Sequence, residues 1–174
     1  MKTLIKGFKL DRLLDELSRA PAGDVVELGV YMGGALEAMA KAAPHRLMYG
    51  FDTFEGMPAA LWREGEPHGV GDFGDTSYEA VARKMPENVT LVRGTFPDSA
   101  GDLSPSIALA HLDFDWYEST KAALDWVLPK MVPGGVIVFD DYEWKHCPGV
   151  KRAIDEAGLA VSAKHNQAIY RVPA

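Results

Sequence analysis

Two apolar runs of strand length each end in a pair of acids: Leu109–Asp115 reads L-A-H-L-D-F-D, and Val136–Tyr142 reads V-I-V-F-D-D-Y. Apolar runs of this kind alternate with helix-periodic segments along almost the whole chain, and that alternation is the strongest constraint on its fold. Leu10, Leu13, Leu14 and Leu17 give Phe8–Arg19 an amphipathic period, stopped by Ala20-Pro21-Ala22-Gly23. Strands are expected at Asp24–Gly29, Arg46–Asp52, Val89–Arg93, Ile107–Asp113 and Val136–Phe139, the last launched by the turn Pro133-Gly134-Gly135. Helices are expected at Gly33–Ala43, Ser77–Met85 (with Thr76 or Ser77 as the N-cap), Tyr117–Val127 and Val150–Ala157. Ala160–Lys164 and Gln167–Val172 read as an antiparallel hairpin turning at His165-Asn166. Together these predict one α/β sandwich with a mostly parallel sheet and right-handed crossovers. No linker, repeat or low-complexity stretch divides the 174 residues, so 1–174 reads as a single domain.

In an open parallel sheet the strand ends converge on one crevice, and ligands bind there. Asp113, Asp115, Asp140 and Asp141 therefore crowd one small volume. Like charges brought that close need a counter-charge, a proton or water. A divalent cation meets the need most simply, and oxygen donors in a loop-lined site suit Mg²⁺, with Mn²⁺ or Ca²⁺ as the alternatives. The other reading of any one acid is a helix cap or a solvent-facing group.

Composition narrows the partners. With 47% hydrophobic and 25% charged residues the chain is a soluble globular type. A formal net charge of −7 and the absence of a basic stripe argue against a nucleic-acid backbone as the main partner. Lys6, Lys9 and Arg12 read as the solvated face of the first helix. Met1–Leu10 is too short and too broken by lysines for a signal peptide, and no run approaches membrane-span length. The single cysteine, Cys147, fits a reducing compartment, so a cytoplasmic location away from membranes is expected. Its neighbour His146 makes a Cys–His pair conceivable, though adjacency in sequence is poor evidence for one.

Val25–Gly34 reads as a strand, a glycine-bearing turn and a helix start, where backbone amides approach a ligand. Asp52 closes the second strand about twenty-five residues on, where an acid typically accepts hydrogen bonds from a ribose. The spacing G-x-x-x-G-G departs from the dinucleotide fingerprint, which counts against NAD. Tyr117 and Lys121 keep the Tyr-x-x-x-Lys spacing of some nicotinamide-dependent oxidoreductases open. Residues 55–76, studded with glycine, proline and charge, read as a long irregular excursion of the kind that forms lids.

Five blocks taken together, E-L-G-V-Y-M-G-G, F-D-T-F-E-G-M-P, L-V-R-G-T-F-P-D-S, L-D-F-D-W-Y-E-S-T-K-A-A-L and V-P-G-G-V-I-V-F-D-D-Y, resemble the S-adenosylmethionine-dependent macrocin O-methyltransferase (TylF/MycF/NovP-like) group. The resemblance runs from about Asp24 to Ile154. It implies a Rossmann-like class I methyltransferase sandwich: a mostly parallel seven-stranded sheet with a C-terminal antiparallel hairpin. It implies that Glu27, Gly29, Tyr31, Gly33 and Gly34 line the methionine and ribose parts of S-adenosylmethionine. Asp52 would hold the ribose hydroxyls, with Thr53 and Phe54 beside the nucleoside and Gly94, Thr95 and Phe96 bordering the adenine. Asp113, Asp140 and Asp141 would bind Mg²⁺, and Asp115 would be the general base.

The implied reaction is metal-dependent O-methylation of a small-molecule acceptor in secondary metabolism, a sugar or other vicinal diol or catechol. The resemblance also implies a homodimer. The group usually carries a longer N-terminal region than one short helix, which points away from a large macrolide acceptor. Trp62, His68, Phe73, Trp144 and His146 are candidate acceptor contacts. Trp116 and Tyr117 pack beneath the next helix or face the same site. The alternatives are a cofactor-binding regulatory module without turnover and a nicotinamide-dependent oxidoreductase.

Overall fold

A computed structural model describes residues 4–5, 7–66 and 68–174. The chain runs α1 (Gly7–Arg19), β1 (Asp24–Leu28), α2 (Gly34–Ala42), β2 (Met48–Asp52), α3 (Tyr78–Ala82) and β3 (Val89–Arg93). It continues β4 (Ile107–Leu112), α4 (Tyr117–Val127), β5 (Met131–Phe139), α5 (Pro148–Glu156), β6 (Ser162–Lys164) and β7 (Gln167–Arg171). One seven-stranded sheet takes the order β3-β2-β1-β4-β5-β7-β6, parallel except for β7, which is antiparallel to both β5 and β6. The chain reverses direction across the sheet between β1 and β4, which opens a crevice at their C-terminal ends.

Strand alternation divides the core into two layers. Val25, Leu109, Val136 and Val138 pack with Leu13 and Leu17 of α1 and Leu36 and Met39 of α2 on one face. Val26, Leu28, Ala110, Ile137 and Phe139 pack with Leu124 and Val127 of α4 and Val150 and Ile154 of α5 on the other. Both faces of β1, β4 and β5 are covered, so their near-continuous apolar sequences carry no alternation.

Three local features differ from the sequence reading. The turn at 133–135 does not precede β5 but interrupts it: Met131 pairs with Ile107, and pairing resumes only with Val136 opposite Leu109. Pro133 has no N–H to give a ladder, so those residues arch out. Short 3₁₀ turns at Ala59–Leu61 and Asp98–Ala100 lie within the stretches read as loops. α3 is shorter than Ser77–Met85, with Ser77 accepting from the Ala80 amide at 3.2 Å as its N-cap.

The basic face of α1 is not solvated. Arg12 donates to the carbonyls of Gln167 (2.9 Å) and Ser162 (3.2 Å), and Glu16 pairs with Arg171. Lys9 is 8% exposed and turns toward the strand ends. Lys6 lies outside the described residues. These contacts dock α1 onto the β6–β7 hairpin and place one of its lysines at the crevice.

Candidate active site

A cavity of about 430 Å³ fills the crevice at the ends of β1, β2, β4 and β5, a size suited to a small organic ligand. The backbone brings its walls together tightly. Asp113 N–H donates to the Leu28 carbonyl at 2.9 Å, and Asp140 N–H donates to the Leu112 carbonyl at 2.9 Å. Gly29, at φ +92°, abuts the end of β4 so closely that a Cβ would lie 2.1 Å from the Asp113 carbonyl oxygen. Only glycine fits there.

Asp52 sits at the end of β2 and organises the turns around it. Its Oδ2 accepts from the Val30 (2.8 Å) and Tyr31 (2.7 Å) amides, and its Oδ1 from the Phe54 amide (2.7 Å). Beneath the turn, Glu27 and His111 face each other across β1 and β4, with His111 Nδ1 2.8 Å from Glu27 Oε1 and both side chains buried. Burial pushes the Glu27 carboxyl up, and His111 offsets part of that. Among the described residues no hydrogen bond reaches Glu27 Oε2, which is buried at the cavity wall.

The four aspartates do converge, and the geometry sorts them. One carboxylate oxygen each from Asp113, Asp115 and Asp141 lie within 4.8 Å of one another. Asp140 instead has its Oδ1 2.6 Å from Lys9 Nζ, which also donates to Asp141 Oδ1 at 3.0 Å. Asp141 adopts a left-handed backbone, φ +56°, at the strand end. Burial, then the neighbouring Asp140 and Asp115 charges, push the Asp113 carboxyl well up. Burial and Asp141 push Asp115 up to about 7, while a hydrogen bond from the Cys147 thiol at 3.3 Å acts the other way. Asp140 is also raised, chiefly by burial, with Lys9 opposing. Among the described residues one ammonium, that of Lys9, faces the four acids, so carboxyl groups outnumber the cations that pair them.

Residues 55–76 fold over the near side of the cavity. The Tyr31 hydroxyl donates to Asp75 at 2.7 Å, and its ring meets Phe73 edge-on at 5.7 Å. Met57, Pro58, Leu61, His68 and Phe73 line the opening on this side, while Trp62 is exposed and does not. Pro67 lies outside the described residues.

Of the residues expected to hold a cofactor, Glu27, Gly29, Tyr31 and Gly34 line the cavity, as do Asp52, Thr53, Gly94 and Phe96. Three do not. The Phe54 ring is 2% exposed and packs on Tyr78 inside the core, because its left-handed backbone turns the side chain inward. Gly33 forms the left-handed N-cap of α2, and the Thr95 carbonyl accepts from the Ser99 amide to close the next turn.

The sequence model of the macrocin O-methyltransferase (TylF) family matches residues 9–160. The chain belongs to that family. A Streptomyces olivaceus relative, 8-demethyl-8-(2,3-dimethoxy-alpha-L-rhamnosyl)-tetracenomycin-C 4'-O-methyltransferase, is 32% identical over 143 residues, 72% of this chain and 55% of its own. Demethyldecarbamoylnovobiocin O-methyltransferase of Streptomyces niveus is 31% identical over 160 residues, 82% of this chain and 60% of its own. The chain thus spans well under two thirds of these relatives' length. The solved O-methyltransferase NovP superposes with a TM-score of 0.83 at 25% identity, covering 99% of this chain and 82% of that one. The calicheamicin methyltransferase CalS11 shares the fold, with a TM-score of 0.76 at 24% identity over 94% of this chain and 77% of its own.

In this member of the family, several candidate groups fall away from the site. The Tyr117 hydroxyl donates to Glu156 and Lys121 to Asp125, both on the exposed side of α4, so they form no catalytic pair. Trp116 is wholly buried beneath α4. His146 is exposed and meets Trp144 edge-on, whereas Cys147 is buried against Asp115, so the two neighbours form no thiol–imidazole dyad. Lys9, expected on a solvated face, and His111, given no role in the sequence reading, both sit at the centre of the electrostatics. Among the described residues no helix is long and apolar enough to cross a membrane.

Proposed function

We propose that this chain carries the catalytic domain of a metal-dependent O-methyltransferase that moves a methyl group from S-adenosylmethionine to a hydroxyl of a small acceptor. The convergence of Asp113, Asp115 and Asp141 on the wall of the β1/β4 cavity carries this reading. Three half-buried carboxylates in oxygen-donor range suit a hard divalent ion. The acid-rich wall, with Glu27 Oε2 hydrogen-bonded to none of the described residues, suits a ligand bearing ammonium and sulfonium charge. Bound in this crevice, S-adenosylmethionine supplies an activated methyl carbon, and a divalent cation supplies charge that stabilises an acceptor alkoxide.

The chain's own residues supply the rest. Asp113 and Asp141 would hold the ion, with Asp140 kept by Lys9 as the adjoining acid. Asp115, raised to about 7, is poised to take the acceptor's proton near neutral pH. Asp52 fixes the turn after β1 through three amides and presents its outer lone pairs to ribose hydroxyls. The 55–76 segment, through Met57, Leu61, His68 and Phe73, shields the reacting centre from water and forms the acceptor wall. The acceptor class this site suits is a vicinal diol or a catechol. A sugar of secondary metabolism fits this best, given the rhamnosyl and novobiocin substrates in the relatives' names.

The test is calorimetric binding of S-adenosylhomocysteine and NAD, followed by labelled methyl transfer to a panel of sugars and catechols. Binding of the first alone, with transfer that EDTA abolishes and Mg²⁺ restores, is expected. Binding of NAD in its place, or transfer indifferent to EDTA, refutes the reading.

A further inference from the structure

Asp115 belongs to a second group of ligand-type side chains. One donor atom each of His68, Asp115 and Cys147 lie within 4.8 Å of one another. The three come from separate segments: the 55–76 excursion, the turn after β4, and the N-cap of α5. A close helix contact brings the last two together, since a Cβ on Gly149 would lie 2.7 Å from the Tyr117 amide nitrogen. Cys147 is fully buried, and its thiol donates to Asp115 Oδ1 at 3.3 Å. His68 Nε2 is buried with no hydrogen-bond partner among the described residues, while Nδ1 lies 3.8 Å from Asp72 Oδ2. The imidazole is walled by Phe73 at 5.0 Å and Trp144 at 6.4 Å between ring centroids. A buried ring nitrogen left without a partner is costly, so its environment is complete only with a further group.

The donor set is chemically distinct from the all-oxygen cluster beside it. Imidazole nitrogen and thiolate sulfur favour Zn²⁺ and Co²⁺ over Mg²⁺ and Ca²⁺. We propose that His68, Asp115 and Cys147 form a second cation site, selective for zinc-class ions, whose occupation withholds Asp115 from the acceptor and fastens the 55–76 segment to the end of β4. Three protein ligands leave a fourth tetrahedral position for water. Binding breaks the Cys147 S–H bond: the proton passes to solvent, and the sulfur electron pair forms the metal–sulfur bond with no change of oxidation state. The site itself does not depend on the methyl-transfer reading; only its inhibitory consequence does.

Cobalt titration of the metal-free full chain tests it. A thiolate-to-cobalt charge-transfer band, saturating at one ion per chain, is expected, bleached by Zn²⁺ and untouched by a large excess of Mg²⁺. Cys147→Ser should abolish the band, and His68→Ala should weaken cobalt binding roughly tenfold or more. His68 sits on the excursion, outside the core, so its replacement keeps the test open if Cys147→Ser does not fold. No thiolate band, or a band of unchanged affinity in His68→Ala, overturns the site. Zinc should also inhibit methyl transfer, less so in His68→Ala. Zinc that binds at the three residues yet leaves transfer unaltered overturns the inhibitory role while leaving the site standing.

Discussion

Replacing Lys9 with methionine removes the cation that faces four acids while keeping the side chain's length and the helix propensity of α1. Its Nζ lies 2.6 Å from Asp140 Oδ1 and 3.0 Å from Asp141 Oδ1. Lys9 is 8% exposed and Asp140 7%, so water cannot replace the lost partner. Removing one member of a buried ion pair leaves an uncompensated charge and costs about 3–5 kcal/mol. For a chain of this size each kcal/mol moves the melting midpoint by roughly 2–4 °C. Lys9→Met is therefore expected to melt about 6–20 °C lower when measured in EDTA. Leu13 and Leu17 still anchor α1 in the core, and Arg12 still bonds the hairpin, so the transition should stay single.

The assay is differential scanning calorimetry on the native chain, Lys9→Met, Asp140→Asn and the double variant. The pair's coupling predicts that the double variant is less damaged than the two single losses added together. Mg²⁺ should restore more stability to Lys9→Met than it adds to the native chain, since an ion then supplies the missing charge. A loss under about 2 °C, strictly additive losses, or equal stabilisation by Mg²⁺ in both proteins would refute the electrostatic role of Lys9.

Asp115→Asn keeps the shape of the acid but cannot take a proton, so turnover should fall roughly 10²–10⁴-fold with S-adenosylhomocysteine affinity nearly kept; unchanged turnover removes it as the base. The acid cluster also fixes a pH dependence of stability. Asp115 titrates near its ordinary 3.8 in the unfolded chain and at about 7 in the fold. Between those values the folded chain holds a proton that the unfolded chain has lost, so stability falls as pH rises, by about 4 kcal/mol in total from this group. Asp113 and Asp140 are raised as well and act in the same direction. Urea titrations of the metal-free chain from about pH 4 to 8 should show this loss, and Asp115→Asn should flatten it; a parallel pH profile in the variant contradicts the assignment. Gly29→Ala drives a Cβ toward the Asp113 carbonyl at a left-handed backbone. It should cost about 1–3 kcal/mol from strain alone and weaken cofactor-product binding, and an unperturbed melt would show that the β1 and β4 ends are not clamped together.

The sheet was legible because its strands are written in apolar residues and punctuated by glycine and proline. β1 to β4 and both hairpin strands fall close to where the pattern places them, and the acids do end β4 and β5. The β5 boundary was not, because Pro133-Gly134-Gly135 is equally a turn before a strand and an arch within one. Only the pairing of Met131 with Ile107 decides between them. Lys9 was misread as solvated even though a signal was there. It precedes Leu13 and Leu17 at helical spacing, so it shares the stripe that α1 buries. His111 had a signal too: it lies in a strand buried on both faces, which demands a partner, and the register supplies Glu27 directly across.

The sorting of the four aspartates had no such signal. Asp140 and Asp141 are adjacent, and an extended strand would send their side chains to opposite faces. The left-handed backbone of Asp141 breaks that alternation and turns both carboxylates to Lys9. Nothing in the residue type requires it, since aspartate is merely tolerant of that conformation. The consequence is a division of labour that composition cannot express. Asp140 is committed to α1 through Lys9, whereas Asp141 is shared between Lys9 and the group it forms with Asp113 and Asp115. A cation held by that group would share Asp141 with Lys9, while Asp140 stands outside the group. The docking of the first helix and the charge of the crevice are thus joined through a single carboxylate, and it is the one whose backbone is strained.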